Sequence, residues 1–206
     1  SKIPTHLQHL GVYEGLLAFN RGIVDATHEI AGSYKPNTAF YEAYGSEGWD
    51  VLKETIAYIN ERAPHAVVVA DAKRADIGNT NNGYVEAIFG NLGADAVTLH
   101  PYLGAEALAP FLDRADKGVF VLCRTSNPGS GELQALLVDG VPLYQRVAQM
   151  VSESWNKNQN CGLVVGATYP EELAMVRSIA PSLPLLIPGI GAQGGDIEAT
   201  VRSAHR

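Results

Sequence analysis

The sequence places four charged side chains within six positions at the end of an apolar run. The run is VVVADAKRADIGNT at 67–80, and its charged residues are Asp71, Lys73, Arg74 and Asp76. On an extended strand, residues two apart point to the same side, so Asp71 and Lys73 should project together. Buried charges are costly unless they pair, and paired, partly buried charges are typical of sites with shifted pKa values. The cluster therefore predicts a catalytic site, although a surface ion-pair cluster that solubilises a loop stays open.

Three further polar segments follow predicted strands. Lys35 lies in the YKPN segment, where Pro36 keeps it extended, so it could join the charged cluster, although alone it is typical of a surface lysine. The segment RTSNPGSG at 124–131 is long and polar, which favours a flexible binding loop or lid over a plain surface loop. The segment PGIGAQGGD at 188–196 has glycines that let backbone N–H groups converge on an anion, although a tight turn also needs glycine.

Strands and helices alternate along the chain and must position these segments. Apolar runs predict strands at 33–36, 66–71, 95–99, 118–123, 161–165 and 184–188. Periodic segments predict helices at about 12–31, 48–63, 79–92, 104–113, 142–158, 170–180 and 195–204. Thr168 is the start signal for the helix at 170–180, because Pro170 and two glutamates follow it. The alternation predicts a parallel sheet, and functional residues of such sheets gather at the carboxyl ends of the strands.

The fold class is therefore α/β, and two architectures remain open, an open doubly wound sheet and a (β/α)8 barrel. Six strands are predicted, and the initial SKIPTHLQHL does not resemble a strand. As a barrel, the chain would lack its first and last strands. We expect one domain over residues 1–206, since this length suits a single core.

Composition excludes several classes of partner. The net charge is −7 with no basic run, which argues against nucleic acid and against an anionic membrane. No segment is long enough to span a bilayer and no signal peptide is visible, so we expect a cytoplasmic protein. Cys123 and Cys161 lie in apolar runs and are expected to be buried free thiols. The six histidines show no ligand pairing, so no metal site is expected.

The motifs together resemble the orotidine 5′-phosphate decarboxylase family. Asp71-Ala-Lys73-Arg-Ala-Asp76-Ile77-Gly-Asn-Thr80 is similar to the D-x-K-x-x-D-I-x-x-T signature of that family. The segments YKPNTAFYEAYG, CRTSNPGSGELQ and PGIGAQGGD are similar to its longer bacterial branch, and the resemblance extends over nearly all of the chain. It implies a (β/α)8 barrel that converts orotidine 5′-monophosphate to UMP and CO2 without a cofactor. That reaction is the last step of de novo pyrimidine nucleotide synthesis.

The resemblance also implies roles for individual residues. The implied catalytic residues are Lys35, Asp71, Lys73 and Asp76. The implied substrate-binding residues are Ile77, Thr80, Ser126, Gln193 and Gly194, with Ser126 on the pyrimidine and the last two on the phosphate. The implied assembly is a homodimer whose active sites are shared, with Asp76 and Thr80 serving the neighbouring subunit. Lys73 would stabilise the carbanion and protonate C6, and Asp71 would face the substrate carboxylate.

The sequence departs from the family at two positions and leaves two alternatives. The family has a ribose-contacting Asp on its first strand and a phosphate-contacting Arg near its last strand, and neither strand is found here. One alternative is a metal-dependent sugar-phosphate decarboxylase or aldolase of the same superfamily. That enzyme would need a strand-end Glu beside Asp71, and none is present. The other alternative is a non-catalytic barrel that binds a phosphate ligand.

Overall fold

The computed structural model describes residues 3–190 and 194–205, in which strands and helices alternate as the sequence predicts. The strands are β1 (Ser33–Tyr34), β2 (Val67–Arg74), β3 (Ala96–Leu99), β4 (Gly118–Arg124), β5 (Leu137–Val138), β6 (Val141–Pro142), β7 (Cys161–Val165) and β8 (Leu185–Leu186). The helices are α1 (Val12–Thr27), α2 (Ala39–Glu42), α3 (Gly45–Arg62), α4 (Gly78–Val85), α5 (Gly104–Leu112), α6 (Gly131–Gln134), α7 (Leu143–Met150), α8 (Pro170–Ile179) and α9 (Ile197–Ala204). Turns of 3₁₀ helix lie at Thr5–Leu7 and Pro128–Ser130, and π-helical segments follow α4 and α7 at Glu86–Asn91 and Val151–Trp155.

The chain forms two compact units. Unit 1 contains the residues up to Ala72 together with Gly83–Val97, and unit 2 contains Lys73–Asn82 together with the residues from Thr98 onward. The boundaries therefore fall within β2, α4 and β3. The prediction of a single domain over 1–206 stays a prediction.

Unit 1 is built on the pairing of β1 with β2. The two strands are parallel, with Ser33 opposite Val67 and Tyr34 opposite Val68. Helices α1 and α3 pack against each other, and the core of the unit consists of Val24, Leu52, Ile56, Ile59, Val68 and Leu92. These residues come from α1, α3, β2 and the segment after α4, so burial of their side chains fixes the position of β2 in the unit.

Unit 2 contains the parallel pairing of β4 with β7. β4 and β7 are aligned from Val119 opposite Cys161 to Leu122 opposite Val164, with an irregularity before Arg124. β7 also pairs with β8, and every residue of β7 is buried, as is expected for a parallel strand covered on both faces. The fold class is thus α/β with parallel strands, as in a (β/α)8 barrel, and six parallel strands are present among the described residues.

The bounds of several elements differ from the sequence-based predictions, and three differences have a local explanation or consequence. Thr168 does not cap α8, because Tyr169 precedes the helix and the Thr168 hydroxyl lies 3.5 Å from the carbonyl of Ser126 instead. The segment after β4, expected to be a loop, contains α6 and the antiparallel hairpin β5–β6. Helix α1 ends at Thr27 rather than at residue 31. Among the described residues, no helix combines the length and apolar character that crossing a lipid bilayer requires.

Candidate active site

Asp71, on β2 in unit 1, is a buried carboxylate paired with a lysine. Lys35 Nζ donates to Asp71 Oδ2 at 2.7 Å, and Asn37 Nδ2 donates to the same oxygen at 3.4 Å. The side chain of Asp71 is 9% exposed and that of Lys35 is 32% exposed. A carboxylate this buried depends on such donors, since an unpaired charge there would lose its hydration without compensation. The structure thus brings together two of the residues singled out from the sequence.

The backbone after β1 explains why Lys35 reaches Asp71. Pro36 has no N–H, and its carbonyl accepts from the Asp71 N–H at 2.9 Å. Thr38 N then donates to the Asp71 carbonyl at 3.3 Å, so this segment runs alongside β2 as far as Asp71. Asn37 Oδ1 accepts from Ala39 N at 3.1 Å, at the start of α2. The parallel pairing that begins between β1 and β2 therefore continues as far as Asp71.

Lys73 follows two residues later on β2, and its backbone is unusual. Its φ is 47°, in the left-handed region that non-glycine residues rarely adopt, and its side chain is exposed. The N–H of Lys73 donates to the buried hydroxyl of Thr98 at 2.9 Å, which helps to hold this conformation. Alternation of side chains requires extended backbone, so strand geometry does not set the direction of the Lys73 side chain relative to Asp71. Backbone strain of this kind clusters at functional sites.

Asp76 and Ile77 lie in the turn between β2 and α4, and Thr80 lies in the first turn of α4. Asp76 Oδ1 accepts from Ile77 N at 2.7 Å, and Thr80 N donates to the Ile77 carbonyl at 3.2 Å. Ile77 is 62% exposed and Thr80 is exposed, whereas Asp76 is partly buried. The turn and the start of α4 therefore expose an apolar side chain and a threonine near the carboxylate of Asp76.

The segment that carries Ser126 is anchored by Arg124, the last residue of β4. Arg124 is only 5% exposed, and its guanidinium donates to both carboxylate oxygens of Glu172 at 2.5 and 3.2 Å. It also donates to Ser130 Oγ at 2.6 Å and lies 4.6 Å from the ring centroid of Tyr169. A buried guanidinium with a bidentate carboxylate and a stacked ring is a rigid support.

Gln134 and Gly166 fix the start of the same segment. Gln134 Oε1 accepts from Thr125 N at 2.9 Å, and its Nε2 donates to Thr125 Oγ1 at 2.8 Å. Gly166 lies against Ser126, and a Cβ at residue 166 would come within 2.8 Å of the Ser126 Cβ. The residues around Ser126 thus have specific contacts, and the flexibility of this segment stays a prediction.

The glycine-rich segment after β8 is described only in part. Gln193 lies outside the described residues. Gly194 has φ of 81°, which favours glycine, and a Cβ at Gly195 would lie 2.7 Å from the carbonyl oxygen of Gly189. Asp196 Oδ1 caps α9 by accepting from Ala199 N at 2.6 Å. The glycines at 194 and 195 therefore serve the shape of a tight turn at the amino end of a helix, a position where backbone N–H groups can bind an anion.

The cysteines do not form a reactive site. Cys123 and Cys161 are both free and buried, as the sequence predicts. Burial raises the pKa of the Cys123 thiol to about 12 and that of Cys161 to about 11. Within residues 3–190 and 194–205, no group of three or more His, Cys, Asp or Glu side chains is arranged to hold a metal ion.

The sequence analysis did not identify several residues that support the site. These are Asn37, Asn81, Thr98, Gln134 and Glu172. Thr98 had a detectable signal, since it is a polar residue within the apolar strand AVTL. Glu172 is separated from Arg124 by 48 positions, and nothing local in the sequence indicates their contact.

Comparison with known proteins gives consistent matches. Residues 19–204 match the family described as Orotidine 5'-phosphate decarboxylase / HUMPS family. A curated relative from Herpetosiphon aurantiacus, named Orotidine 5'-phosphate decarboxylase, is 52% identical over 205 residues, covering 99% of this chain and 75% of the relative. The solved structure of Leishmania donovani UMP synthase superimposes with a TM-score of 0.92 at 45% identity, over 96% of this chain and 43% of that chain. The solved structure of Leishmania donovani OMP decarboxylase superimposes with a TM-score of 0.89 at 43% identity, over 96% of this chain and 76% of that chain.

Proposed function

The chain belongs to the orotidine 5′-phosphate decarboxylase / HUMPS family, and on this premise we propose how its residues perform the reaction. That reaction is the decarboxylation of orotidine 5′-monophosphate to UMP and CO2, the activity for which its relatives are named. The observation that carries the residue assignments is the buried carboxylate of Asp71 on β2, which pairs with Lys35 and lies two positions before Lys73.

Lys73 acts as the proton donor. When the bond between C6 and the carboxylate breaks, CO2 leaves and the electron pair stays on C6 of the pyrimidine. The ammonium group of Lys73 stabilises this carbanion and then transfers a proton to C6, which gives UMP; the lysine regains its proton from water. The exposed side chain and constrained backbone of Lys73 support this role, since the ammonium group can reach a ligand while the backbone is held by Thr98.

Asp71 faces the substrate carboxylate. Two carboxylates in contact repel each other in the ground state, and the repulsion disappears as CO2 departs. Lys35 pairs with Asp71 and orients it through the 2.7 Å contact, and Asn37 adds a second donor to the same oxygen. These donors offset the hydration that the buried carboxylate has lost.

The remaining residues bind the parts of the substrate that do not react. Ser126 hydrogen-bonds the pyrimidine, supported by the anchored segment between Arg124 and Gln134. Gln193 and Gly194 bind the phosphate, and the glycine-rich turn before α9 supports this assignment. Ile77 and Thr80 also contact the substrate. Binding energy at the phosphate then aligns the distant base for reaction.

The protein acts as a homodimer in which Asp76 and Thr80 serve the neighbouring subunit. The exposed apolar residues of unit 2 support this, because Ile77 is 62%, Tyr102 80% and Leu103 41% exposed. Mixing Asp76→Ala with Lys73→Ala tests the arrangement. With random exchange, about half the dimers are mixed and each has one intact site, so about a quarter of wild-type activity should return. A mixture that exchanges subunits and stays inactive would place both residues in one subunit's site.

We further propose one (β/α)8 domain, a cytoplasmic location and no partner among nucleic acids. The support is indirect: the net charge is −7, and the two free thiols suit a reducing compartment.

Replacement of Lys73 tests the catalytic assignment. Lys73→Ala should lower kcat by more than about 10²-fold, because the proton donor is lost. Lys53→Ala, an exposed lysine on α3, is the matched control and should retain full activity. Unchanged circular dichroism and UMP binding would show that the variant still folds. A folded Lys73→Ala protein with near-normal kcat would show that another group protonates C6.

A further inference from the structure

We propose that Asn81 is a positioning residue that fixes Asp76, an inference that rests on the proposed function of Asp76. Asn81 lies in α4 and is completely buried. Its Oδ1 accepts from the Asp76 N–H at 2.9 Å. Its Nδ2 donates to two carbonyls at 2.5 Å, those of Asp76 and of Ala107 in α5. One side chain thus binds both backbone polar groups of Asp76 and links them to a second helix.

Only an amide of this length can make these three contacts. The side chain must supply one acceptor and two N–H donors, which is the inventory of an asparagine amide. An aspartate has the same shape but offers only acceptors when ionised, so it would set an oxygen against the carbonyls of Asp76 and Ala107. Alanine would leave three backbone groups without this partner, two of them partly buried and one buried. Position 81 therefore requires the hydrogen-bonding groups of asparagine, and a side chain of the same volume without them would not replace it.

The contacts restrict a turn that would otherwise have several conformations available. Gly78 follows Asp76 by two residues and has φ of 49°, a region that glycine enters at no steric cost. Asn81 holds Asp76 at both N–H and C=O, and Asp76 Oδ1 accepts from Ile77 N at 2.7 Å. The backbone and the carboxylate of Asp76 are thereby set together, before any substrate binds. In this way Asn81 affects the reaction without touching the substrate.

Substitution of Asn81 measures the effect. Asn81→Ala and Asn81→Asp should each lower kcat/KM for orotidine 5′-monophosphate by about 10²-fold, the cost of moving a catalytic group by about 1 Å. Asn82→Ala is the matched control, since Asn82 is the next residue of α4 and is exposed. Its Nδ2 contacts only Asn79 Oδ1, at 3.4 Å, among the contacts described, so it should change kcat/KM by less than about twofold.

A double-mutant cycle separates positioning from general stability. If Asn81 acts through Asp76, Asn81→Ala should cost little further activity in an Asp76→Ala background. The same fold-loss in both backgrounds would overturn the proposal and leave Asn81 as a packing residue. The cycle also separates the two claims. If Asp76→Ala alone keeps wild-type kcat/KM, the proposed role of Asp76 fails, whatever Asn81 does.

Hydrogen exchange of the wild-type protein gives a readout if the Asn81 variants fail to fold. The Asp76 amide should exchange as slowly as amides within α4, because it donates to the buried Asn81 Oδ1. Exchange of that amide at the rate of an unprotected turn would overturn the proposal. If Asn81→Asp folds, the Asp76 amide should exchange faster than in the wild type, whereas the amides within β4 and β7 should remain protected from exchange.

Discussion

Adding one methyl group at Gly166 should impair catalysis by displacing Ser126. A Cβ at residue 166 would lie 2.8 Å from the Ser126 Cβ, 2.9 Å from its N and 3.0 Å from its Cα. Carbon atoms in contact are optimally about 3.5–4.0 Å apart, so Ser126 must move by about 1 Å. All three atoms belong to the backbone or to its first side-chain carbon, so a rotamer change cannot relieve the contact.

The expected magnitudes follow from that displacement. A shift of about 1 Å in a substrate-positioning group can lower kcat/KM by about 10²-fold. Overpacking of this kind also destabilises a fold by about 1–3 kcal/mol. Gly166→Ala should therefore remain folded at room temperature yet convert orotidine 5′-monophosphate poorly. The assays are steady-state decarboxylation and urea-induced unfolding of the same preparation.

Gly131→Ala is the control within the same segment. A Cβ at residue 131 would meet nothing within 4 Å, and its φ of −68° suits any residue. This variant should keep full activity and gain about 0.4–1 kcal/mol in stability, because alanine restricts the unfolded chain. A displacement of Ser126 by about 1 Å should lower kcat/KM by about 10²-fold. If Gly166→Ala folds and its kcat/KM stays within about threefold of wild type, catalysis does not depend on the position that Gly166 leaves for Ser126.

Substitution of Glu172 and alkylation of the two cysteines test the contact with Arg124 and the burial of the thiols. Glu172→Gln should destabilise the protein by about 2 kcal/mol in urea unfolding, less than the 3–5 kcal/mol of a fully buried pair because Glu172 is 28% exposed. Glu171→Gln, its exposed neighbour, should have no measurable effect, and equal losses in the two variants would refute the support role of Arg124. Cys123 and Cys161 should resist iodoacetamide at pH 8 in the folded protein and react in guanidinium, because burial raises the pKa values of their thiols to about 12 and 11. Equally fast labelling in both states would contradict their burial.

The α/β fold class was predictable because several of its strands are apolar throughout, and β3 and β7 are buried at every residue. The apolar runs at β2, β4 and β7 cannot lie at a surface, and their spacing leaves room only for helical connections. The predicted ends of helices and strands were less accurate. For example, α8 begins after Tyr169, although Thr168 is the better capping residue by type. The short hairpin β5–β6 escaped prediction because two-residue strands carry no periodicity.

The charged residues of the candidate site stand out in the sequence, but the residues that contact them do not. Lys35 and Asp71 stand out because strand ends rarely carry charge, and the structure pairs them. The positive φ of Lys73 is invisible in sequence, since it depends on the partner hydroxyl of Thr98 on another strand. Asn81 is equally hidden, because asparagines in a polar helix start are common and only the tertiary contact with α5 shows which one is buried.

Decarboxylation in D2O with EDTA present tests the central claim most directly. The wild-type protein should convert orotidine 5′-monophosphate to CO2 and UMP in equal amounts. NMR should find one deuteron at C6 of each UMP molecule, because the proton on Lys73 exchanges with solvent before transfer. Lys73→Ala should form no product above background. If the folded wild-type protein releases no CO2, or does so only when a divalent metal is restored, then the account of a cofactor-free decarboxylase that protonates C6 through Lys73 is wrong.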